Sequence, residues 1–532
     1  MDGPRTGGTH LGEVCPQTPS PVHGEDRPLS PGAAATIGGV NILFVTLDQF
    51  RGDCLSVAGH PIVRTPNLDR LAVEGVRLAR HYSQAAPCSP GRACLYTGTY
   101  QLNNRVVANG TPLDARFDNL AHAARRAGLA PTLFGYTDQS IDPRDASGPD
   151  DPRLSNYEGV LPGFDVGLEL TGGAQRAWIG RLRELGYPAP ADADEALALE
   201  SDRPIEHGVS AFLTDALIEW IERQRGPWFA HASYFRPHPP YAAAGQFARA
   251  YDPAAVPLPI APAAERHRLH EGLMIHRETA APRGEAAIRQ LRAQYFGMLS
   301  EVDHQLGRVW QALERLGHWD DTWILVTSDH GEQLGDHGLI QKGGFFEGSY
   351  HVLGIVRDPR HRAAHGSTVE HFTENVDVFP TLCDALGIET PAQCDGLPLT
   401  PFLRGESPPW WRDAAHWEFD WRFTMLPHGP HAWPWDRRLE RQHLAVLRSD
   451  RAAYVHFGDG SSLCFDLAAD PSWRTAVTGG AVVLDHAQAM LTWRSQHSDR
   501  TLTGMLVEDG GVGRWPPMPA SWNNRATPGR RG

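Results

Sequence analysis

The sequence predicts an α/β fold in which a mostly parallel central sheet is flanked by helices and followed by a smaller C-terminal α+β domain. Continuous apolar runs of strand length, at 41–47, 228–234 and 322–327, have the composition of strands buried on both faces. These runs alternate with amphipathic helical stretches, which is the pattern of strand–helix–strand units and therefore of a parallel sheet. From about residue 410 the composition shifts, and short apolar segments follow one another closely, as in antiparallel strands.

The individual elements follow from local start and stop signals. Pro66 begins a helix and Gly75 lies beyond its end, Gly128 closes a second helix, and Gly317 ends a long third one. Strands are expected at 41–47, 76–82, 132–134, 228–234, 322–327 and near 353–356, and helices at 65–72, 119–127, 209–223 and 285–316. The C-terminal domain is expected to contain strands at 443–448, 453–457 and 463–467 and a helix at 482–494.

Four segments are expected along the chain. Residues 1–38 are rich in Gly, Pro, Thr and Ser and predict a disordered tail. The main α/β domain is expected over 39–405, with a Pro-, Asp- and Gly-rich insertion at about 140–205 that is suited to wall a pocket. A smaller domain follows over 406–506, and a flexible tail over 507–532.

Bulk properties argue against several classes of protein. The chain has 532 residues and a formal net charge of −14 at pH 7, which disfavours a general nucleic-acid partner. Seven cysteines at no regular spacing indicate neither a disulfide framework nor a zinc cluster. The lack of a long apolar run predicts no membrane span, and the lack of a secretory signal predicts a cytoplasmic protein.

Polar side chains stand at the ends of several predicted strands. Asp48 and Gln49 follow the first strand, Tyr136 follows the strand near 132, and Asp329 and His330 follow the strand that ends at 327. Because ligands of open α/β sheets bind at the carboxyl ends of the strands, we expect these groups to lie close together. An ordinary helix cap at Asp48 is the alternative.

Two loop residues have both a structural and a functional interpretation. Asn109 lies in an Asn-Gly-Thr-Pro turn, where a plain turn residue is the commoner finding. His238 lies among prolines after the strand at 228–234, in a stiff loop that suits a positioned side chain. A lone histidine in a loop is nevertheless more often structural.

The stretch 87–98 combines a cysteine, a proline and an arginine at close spacing. Pro90 suits a first helical position, so Cys88 is expected just before a helix N-terminus. The positive end of the helix dipole favours an anion there, or a nucleophile of lowered pKa. Arg92, one turn into the helix, can donate bidentate hydrogen bonds to two oxygens of a tetrahedral anion. The alternative is a buried, inert Cys88 with Arg92 in a surface salt bridge.

Asp48, Gln49, Asp329 and His330 together offer two carboxylates, an amide oxygen and an imidazole. A hard, mixed set of oxygen and nitrogen ligands is suited to one divalent metal ion. The imidazole favours Mn²⁺ over Ca²⁺, which prefers all-oxygen shells, while Mg²⁺ and Zn²⁺ stay open as alternatives.

The stretch 87–98 resembles the sulfatase signature, in which a cysteine is followed by proline and arginine two and four residues later and then by Thr-Gly. The pair Asp48-Gln49 and the run Asp329–His337 resemble the phosphonate monoester hydrolase and phosphodiesterase subgroup of the alkaline phosphatase superfamily, sulfatase branch. The resemblance extends from about residue 41 to 359.

The resemblance implies a modification and a set of site residues. In this family the cysteine at the position of Cys88 is converted to formylglycine by a formylglycine-generating enzyme. The implied metal ligands are Asp48, Gln49, Asp329, His330 and the modified Cys88, and the implied catalytic and substrate-binding residues are Arg92, His238, Lys342, Asn109 and Tyr136. The family usually has a threonine at the position of Asp138, so this chain departs from the pattern there.

The implied reaction is hydrolysis of a small anionic ester, a phosphonate monoester or phosphodiester, by the hydrated formylglycine. His238 is expected to protonate the leaving oxygen, while Arg92 and Lys342 stabilise negative charge. An arylsulfatase with the same machinery is the first alternative, and a non-catalytic binding protein of this fold is a remote one. The resemblance also implies a homo-oligomer, with neither nucleic acid nor a membrane as a partner.

Overall fold

The computed structural model describes residues 40–171, 175–422 and 441–498, together with the backbone of two short strands at 506–507 and 513–514. The chain divides into two units, Met1–Gly38 and Gly39–Gly532. The predicted tail at 1–38 and most of the predicted tail at 507–532 therefore lie outside the described residues.

The predicted strands and helices occur close to their predicted positions. The strands are β1 (Asn41–Leu47), β2 (Val76–Tyr82), β3 (Ala85–Ala86), β4 (Pro131–Gly135), β5 (Asp165–Glu169), β6 (Phe229–Tyr234), β7 (Thr322–Thr327), β8 (His351–Val352), β9 (Gly354–Arg357), β10 (Ser367–Glu374), β11 (Ala414–Asp420), β12 (His443–Ser449), β13 (Ala452–Phe457), β14 (Ser462–Asp466), β15 (Leu506–Val507) and β16 (Gly513–Arg514). The helices are α1 (Pro66–Val73), α2 (Cys88–Thr97), α3 (Gln101–Asn104), α4 (Leu120–Arg126), α5 (Arg176–Glu184), α6 (Ala193–Ala198), α7 (Val209–Arg223), α8 (Arg268–Leu273), α9 (Glu285–Arg315), α10 (Val378–Leu386), α11 (Thr400–Leu403) and α12 (Ala481–Gln496). The structure thus adds further elements, among them β5, β10, β11 and α10, that the sequence analysis did not predict.

A nine-stranded central sheet has the order β10-β2-β9-β7-β1-β6-β4-β5, with β8 paired to β2. The pairs of β1 with β6 and β7, of β4 with β5 and β6, and of β10 with β2 are parallel. The pairs of β9 with β2 and β7, and of β8 with β2, are antiparallel. The sheet is therefore mixed, with a parallel majority. β9 returns antiparallel to β7 because the connection between them contains no crossover helix.

The predicted insertion at about 140–205 contributes regular structure to this sheet. Asp165–Glu169 forms β5, the edge strand beside β4, and α5 and α6 follow it. The first part of the insertion, up to about residue 161, folds back on the loop that follows β4. The backbone amide of Gln139 in this loop donates a hydrogen bond to the Gly159 carbonyl.

A second, five-stranded sheet has the order β14-β13-β12-β11-β3. Its strands are antiparallel except for β3, which pairs parallel to β11 and immediately precedes the stretch that contains Cys88. Trp417 and Trp421 are buried in its core. The C-terminal sheet is thus joined through β3 to the segment that contains Cys88.

The parallel strands bring the predicted polar residues to one edge. β1, β4, β6 and β7 run in the same direction, and their residues are buried along the full length of each strand. Asp48, Tyr136, His238 and Asp329 follow the carboxyl ends of these four strands.

In the part of the chain that the structure describes, no helix is both long and apolar enough to cross a bilayer.

The long helix α9 caps the short helix α1. Thr65, which precedes α1, makes no capping bond with its side chain. Instead, the Asp303 carboxylate accepts hydrogen bonds from the backbone amides of Asn67 (3.2 Å) and Leu68 (2.7 Å). The two helices lie close together because Gly307 has no side chain: a Cβ there would lie 2.5 Å from Asn67 Oδ1.

Asp303→Ala is expected to lower the free energy of unfolding by about 2 kcal/mol, because the buried amide of Leu68 and the partly buried amide of Asn67 lose their acceptor. A thermal melt should show a melting temperature lower by a few degrees. Asp303→Asn, which keeps one acceptor oxygen, should lose less. An equal loss in both variants would argue against the capping role.

Candidate active site

Helix α2 places Cys88 at the centre of the site. The helix begins at Cys88 itself, so the predicted start at Pro90 is two residues late. Cys88 is therefore the first helical residue, with its side chain 4% exposed. Gly91 lets the helix press against the end of β7, since a Cβ at Gly91 would lie 2.5 Å from the Asp329 carbonyl oxygen. This close approach brings Cys88 beside the residues that follow β7.

Asn109 holds the first turn of α2. Its Oδ1 accepts a hydrogen bond from the Ser89 amide at 3.0 Å. The Ser89 carbonyl in turn accepts a bond from Gln139 Nε2 at 3.0 Å. Asn109 therefore positions the start of α2 and Cys88, and its contact with the substrate stays a prediction.

Four ligand-bearing groups converge next to this helix. Asp48, Cys88, Asp329 and His330 are all buried, and their potential ligand atoms lie within 4.8 Å of one another. His330 Nε2 is 3.6 Å from Asp329 Oδ2, 3.9 Å from Asp48 Oδ1 and 3.3 Å from Cys88 Sγ. The structure therefore brings these predicted ligands into one small volume.

The hydrogen bonds of this group fit a bound cation. His330 Nδ1 faces the Gly331 carbonyl at 3.1 Å, and because a carbonyl only accepts, Nδ1 must carry the proton. Nε2 then carries a lone pair, which is free to accept a hydrogen bond from the Cys88 thiol or to bind a metal ion. Asp48 Oδ1 is buried and accepts no hydrogen bond from the described residues. A buried carboxylate oxygen without a donor is stabilised by a positive ion, and the oxygen and nitrogen atoms of this group suit a divalent metal.

Gln49 lies beside the metal-ligand group in a conformation that its neighbours determine. Its backbone has a positive φ of 71°, and its amide N–H donates to Asp329 Oδ1 at 3.2 Å. Lys342 Nζ donates to the side-chain oxygen Oε1 at 2.9 Å. Since an ammonium only donates, this contact identifies Oε1 and leaves the Gln49 Nε2 to donate to Glu332.

Glu332 is a site residue that the sequence analysis missed. Its carboxylate is fully buried and accepts bonds from the Tyr241 hydroxyl (3.0 Å) and the backbone amides of Leu334 (2.7 Å) and Gln341 (2.6 Å), besides that from Gln49. Burial raises the pKa of Glu332. Glu332 lies within the run Asp329–His337, and this position in the sequence was the signal that could have identified it as a site residue. It fixes both Gln49 and the segment that leads to Lys342.

Arg92 makes its hydrogen bonds to groups of the protein, and its contact with a tetrahedral anion stays a prediction. Its Nε donates to Asp329 Oδ2 at 2.9 Å and one terminal nitrogen donates to Asp48 Oδ2 at 3.1 Å. The other terminal nitrogen donates to Ser233 Oγ at 2.8 Å. The side chain is fully buried. Arg92 therefore lies behind the two carboxylates and orients them, because a buried guanidinium must satisfy its donors on the nearest acceptors.

Tyr136 also supports the carboxylates. Its hydroxyl donates to Asp48 Oδ2 at 2.5 Å, and its ring lies 4.4 Å from the Arg92 guanidinium carbon. Tyr136 thus contacts a predicted metal ligand, and its contact with the substrate stays a prediction. With Oδ2 occupied by Tyr136 and Arg92, Asp48 presents Oδ1 to the cluster.

Lys342 and His238 complete the site. Burial opposes the ammonium charge of Lys342, but the neighbouring Cys88, Asp48 and Asp329 outweigh it and raise the pKa of Lys342. Burial, followed by the charge of Lys342, lowers the pKa of His238 to about 3. His238 Nδ1 donates to the Pro239 carbonyl at 2.7 Å, so in the neutral ring Nε2 carries a lone pair. This tautomer accepts a proton and does not supply the acid that the sequence analysis expected.

Comparison with known proteins identifies the family. The sulfatase family model matches residues 40–388, and the model of the N-sulphoglucosamine sulphohydrolase C-terminal region matches residues 335–479. The chain belongs to the sulfatase family. This sulfatase-family hydrolase is also 36% identical over 501 residues to the multifunctional alkaline phosphatase superfamily protein PehA of Trinickia caryophylli, a match that covers 87% of this chain and 96% of that protein.

Two solved structures share the whole architecture of this hydrolase. The phosphonate monoester hydrolase of Agrobacterium radiobacter superimposes with a TM-score of 0.82 at 42% identity, covering 90% of this chain and 100% of the other. The phosphonate monoester hydrolase of Silicibacter pomeroyi superimposes with a TM-score of 0.75 at 33% identity, covering 90% and 99%. The predicted α/β fold with a C-terminal domain, and the predicted superfamily, are confirmed.

Proposed function

We propose that this hydrolase cleaves phosphonate monoesters and phosphodiesters at Cys88, after a formylglycine-generating enzyme has converted that residue to formylglycine. The observation that carries the proposal is the cluster of Asp48, Cys88, Asp329 and His330, in which a buried nucleophile position meets a set of lone pairs suited to a cation. The similarity to two phosphonate monoester hydrolases supports the choice of ester.

Asp48, Gln49, Asp329, His330 and the modified Cys88 would hold one divalent ion, with Mn²⁺ favoured by the mixed oxygen and nitrogen ligands. A bound ion would supply positive charge to the ester oxygens and lower the pKa of the attacking hydroxyl. The hydrate of a formylglycine at position 88 would supply one hydroxyl as the nucleophile and a second whose deprotonation would allow release of the product by C–O cleavage.

The residues of the chain divide the remaining tasks. Arg92 and Tyr136 keep Asp48 and Asp329 oriented, so that these carboxylates need no rearrangement as charge develops. The Lys342 ammonium stabilises negative charge on the leaving and non-bridging oxygens. His238 Nε2, which carries a lone pair, accepts the proton of the second hydroxyl.

A phosphorus ester is favoured over an aryl sulfate by the charge of the site. Gln49 contributes a neutral amide where a third aspartate would add a negative charge, so more positive charge faces the ester. Phosphoryl transition states hold more negative charge on their non-bridging oxygens than sulfuryl ones of the same substitution, and therefore gain more from it. Sulfate ester hydrolysis is expected as a weaker second activity.

The direct test compares kcat/KM for p-nitrophenyl phenylphosphonate, bis-p-nitrophenyl phosphate and p-nitrophenyl sulfate on one preparation. The formylglycine content of the Cys88 peptide is measured by mass spectrometry on the same sample. We expect both phosphorus esters to react faster than the sulfate. A preference for the sulfate would overturn the proposed substrate class in favour of an arylsulfatase.

Gln49→Asp is expected to shift the ratio of kcat/KM for phosphonate over sulfate toward sulfate by about tenfold, because it adds a negative charge beside the ester. The rates on both esters should also fall. The new carboxylate would face Glu332, to which Gln49 now donates an amide hydrogen. Steady-state kinetics on the matched aryl esters measures both effects.

The double variant Gln49→Asp with Glu332→Gln is the matched control. It keeps the added charge next to the ester but removes the repulsion between two buried carboxylates. Overall activity should partly recover while the ratio stays shifted. An unchanged ratio in both variants would contradict the charge argument.

A further inference from the structure

Asp138 is a buried acid in the wall of the site, and the proposed reaction gives it no task. Its side chain is 5% exposed, and Oδ1 accepts no hydrogen bond from the described residues. Its backbone has a positive φ of 50°, a conformation that Asp tolerates better than most residues. A buried carboxylate oxygen without a donor is costly unless a ligand supplies one.

The loop that carries Asp138 is held rigidly next to Cys88. Gln139 Nε2 donates to the carbonyl of Ser89, the residue after Cys88, at 3.0 Å. Thr137 Oγ1 donates to the Gly159 carbonyl at 2.8 Å and accepts from the Leu161 amide at 2.7 Å. These hydrogen bonds hold the segment around 157–161 against the loop that carries Asp138.

Tyr157 and Glu158 stand on the same side of the site. Glu158 is 8% exposed, whereas Tyr157 is 45% exposed and shares a side-chain hydrogen bond with Glu158. Both residues directly precede Gly159, whose carbonyl accepts hydrogen bonds from the Gln139 amide and from Thr137 Oγ1, so they lie against the loop that carries Asp138. Burial raises the pKa of Tyr157, and the charges of Glu158, Asp138 and Cys88 raise it further. Tyr157 Cβ also lies 3.6 Å from the position of a Cβ at Gly110. One aromatic ring and two carboxyl groups therefore line the wall beside Cys88.

This wall has the wrong sign for the anionic end of an ester. The two site cations, Arg92 and Lys342, donate to Asp48 and Asp329 or to Gln49, and not to Asp138. Carboxyl groups beside an aromatic ring are instead a favourable environment for an ammonium ion, which donates hydrogen bonds to the oxygens and is attracted to the ring face.

We propose that Asp138, with Tyr157 and Glu158, binds an ammonium group on the substrate, so that the hydrolase selects zwitterionic esters such as aminoalkyl phosphonate monoesters. The inference rests on the proposed function of the same site and specifies its substrate class. Asp138 acts as a specificity-determining residue: its orphaned Oδ1 accepts the N–H of the ammonium, while the ester itself is held at Cys88. Burial raises the pKa of Asp138 to about 8, so the group is largely protonated at neutral pH in the absence of substrate, and binding of the ammonium ion releases this proton.

The test uses two esters that differ by one charge: the p-nitrophenyl monoesters of 2-aminoethylphosphonate and of propylphosphonate. The amine is cationic at neutral pH. We expect wild-type kcat/KM to be at least about tenfold higher for the aminoethyl ester. Asp138→Asn and Asp138→Thr should bring the ratio near one by lowering only the aminoethyl rate. Asp145→Asn, on an exposed loop acid, is the control and should leave the ratio unchanged.

The other outcomes distinguish the two proposals. A wild-type ratio near one, with good hydrolysis of the propyl ester, overturns the ammonium site and leaves the proposed function standing. Equal losses on both esters in the Asp138 variants overturn the selective role, because they show a contribution to the chemistry or to the fold. Hydrolysis of neither ester by protein that contains formylglycine overturns the proposed function itself.

Discussion

Cys88→Ala is expected to lower kcat for the phosphonate ester by about 10⁴-fold, because it removes the only group placed to become the nucleophile at the start of α2. Peptide mass spectrometry of the wild-type protein should find the change from thiol to aldehyde, or its hydrate, on the Cys88 peptide. Steady-state rates of the two proteins measure the loss.

Cys94→Ala is the matched control, since Cys94 is buried in the same helix but faces Asn104, away from the metal-ligand group. Its activity should stay within a few-fold of wild type. Full activity of a preparation whose Cys88 is entirely an unmodified thiol would contradict the proposed nucleophile.

Removal of the metal is expected to lower activity by about 10³-fold, since the ester would then face Asp48 and Asp329 without the ion that offsets their charge. Mn²⁺ should restore the rate. Burial, with the neighbouring Asp48 charge, raises the pKa of Asp329 to about 7 in the metal-free protein. As pH falls below about 7, protons compete with the ion, so dialysis against metal-free buffer should remove more metal at pH 6 than at pH 8, as measured by elemental analysis.

Asp329→Asn tests whether the activity lost on metal removal comes from the loss of the ion or from unfolding of the protein. It removes one charged ligand and keeps one acceptor oxygen for the Gln49 amide, while its amide nitrogen replaces the oxygen that accepts from Arg92. Activity should fall and should need more Mn²⁺ for partial recovery. Full activity of protein shown by elemental analysis to hold no metal would contradict the proposed ion.

The sequence by itself determined the positions of most elements. β1, β7 and α7 have the predicted bounds, 41–47, 322–327 and 209–223. Continuous apolar runs and an amphipathic stripe are local signals, because any fold must bury those side chains. The meeting of Asp48 with Asp329 follows from the same signals, since parallel strands share a carboxyl edge.

Only the tertiary structure decided what each side chain does within the site. Arg92 turns to Asp329, 237 positions away, and Gln49 donates to Glu332, 283 positions away, so no local pattern reports either contact. Buried polar groups require partners, and the packing of strands and loops sets which partner is within reach. The same packing leaves Asp138 Oδ1 without a donor beside the nucleophile position, where a ligand can provide one.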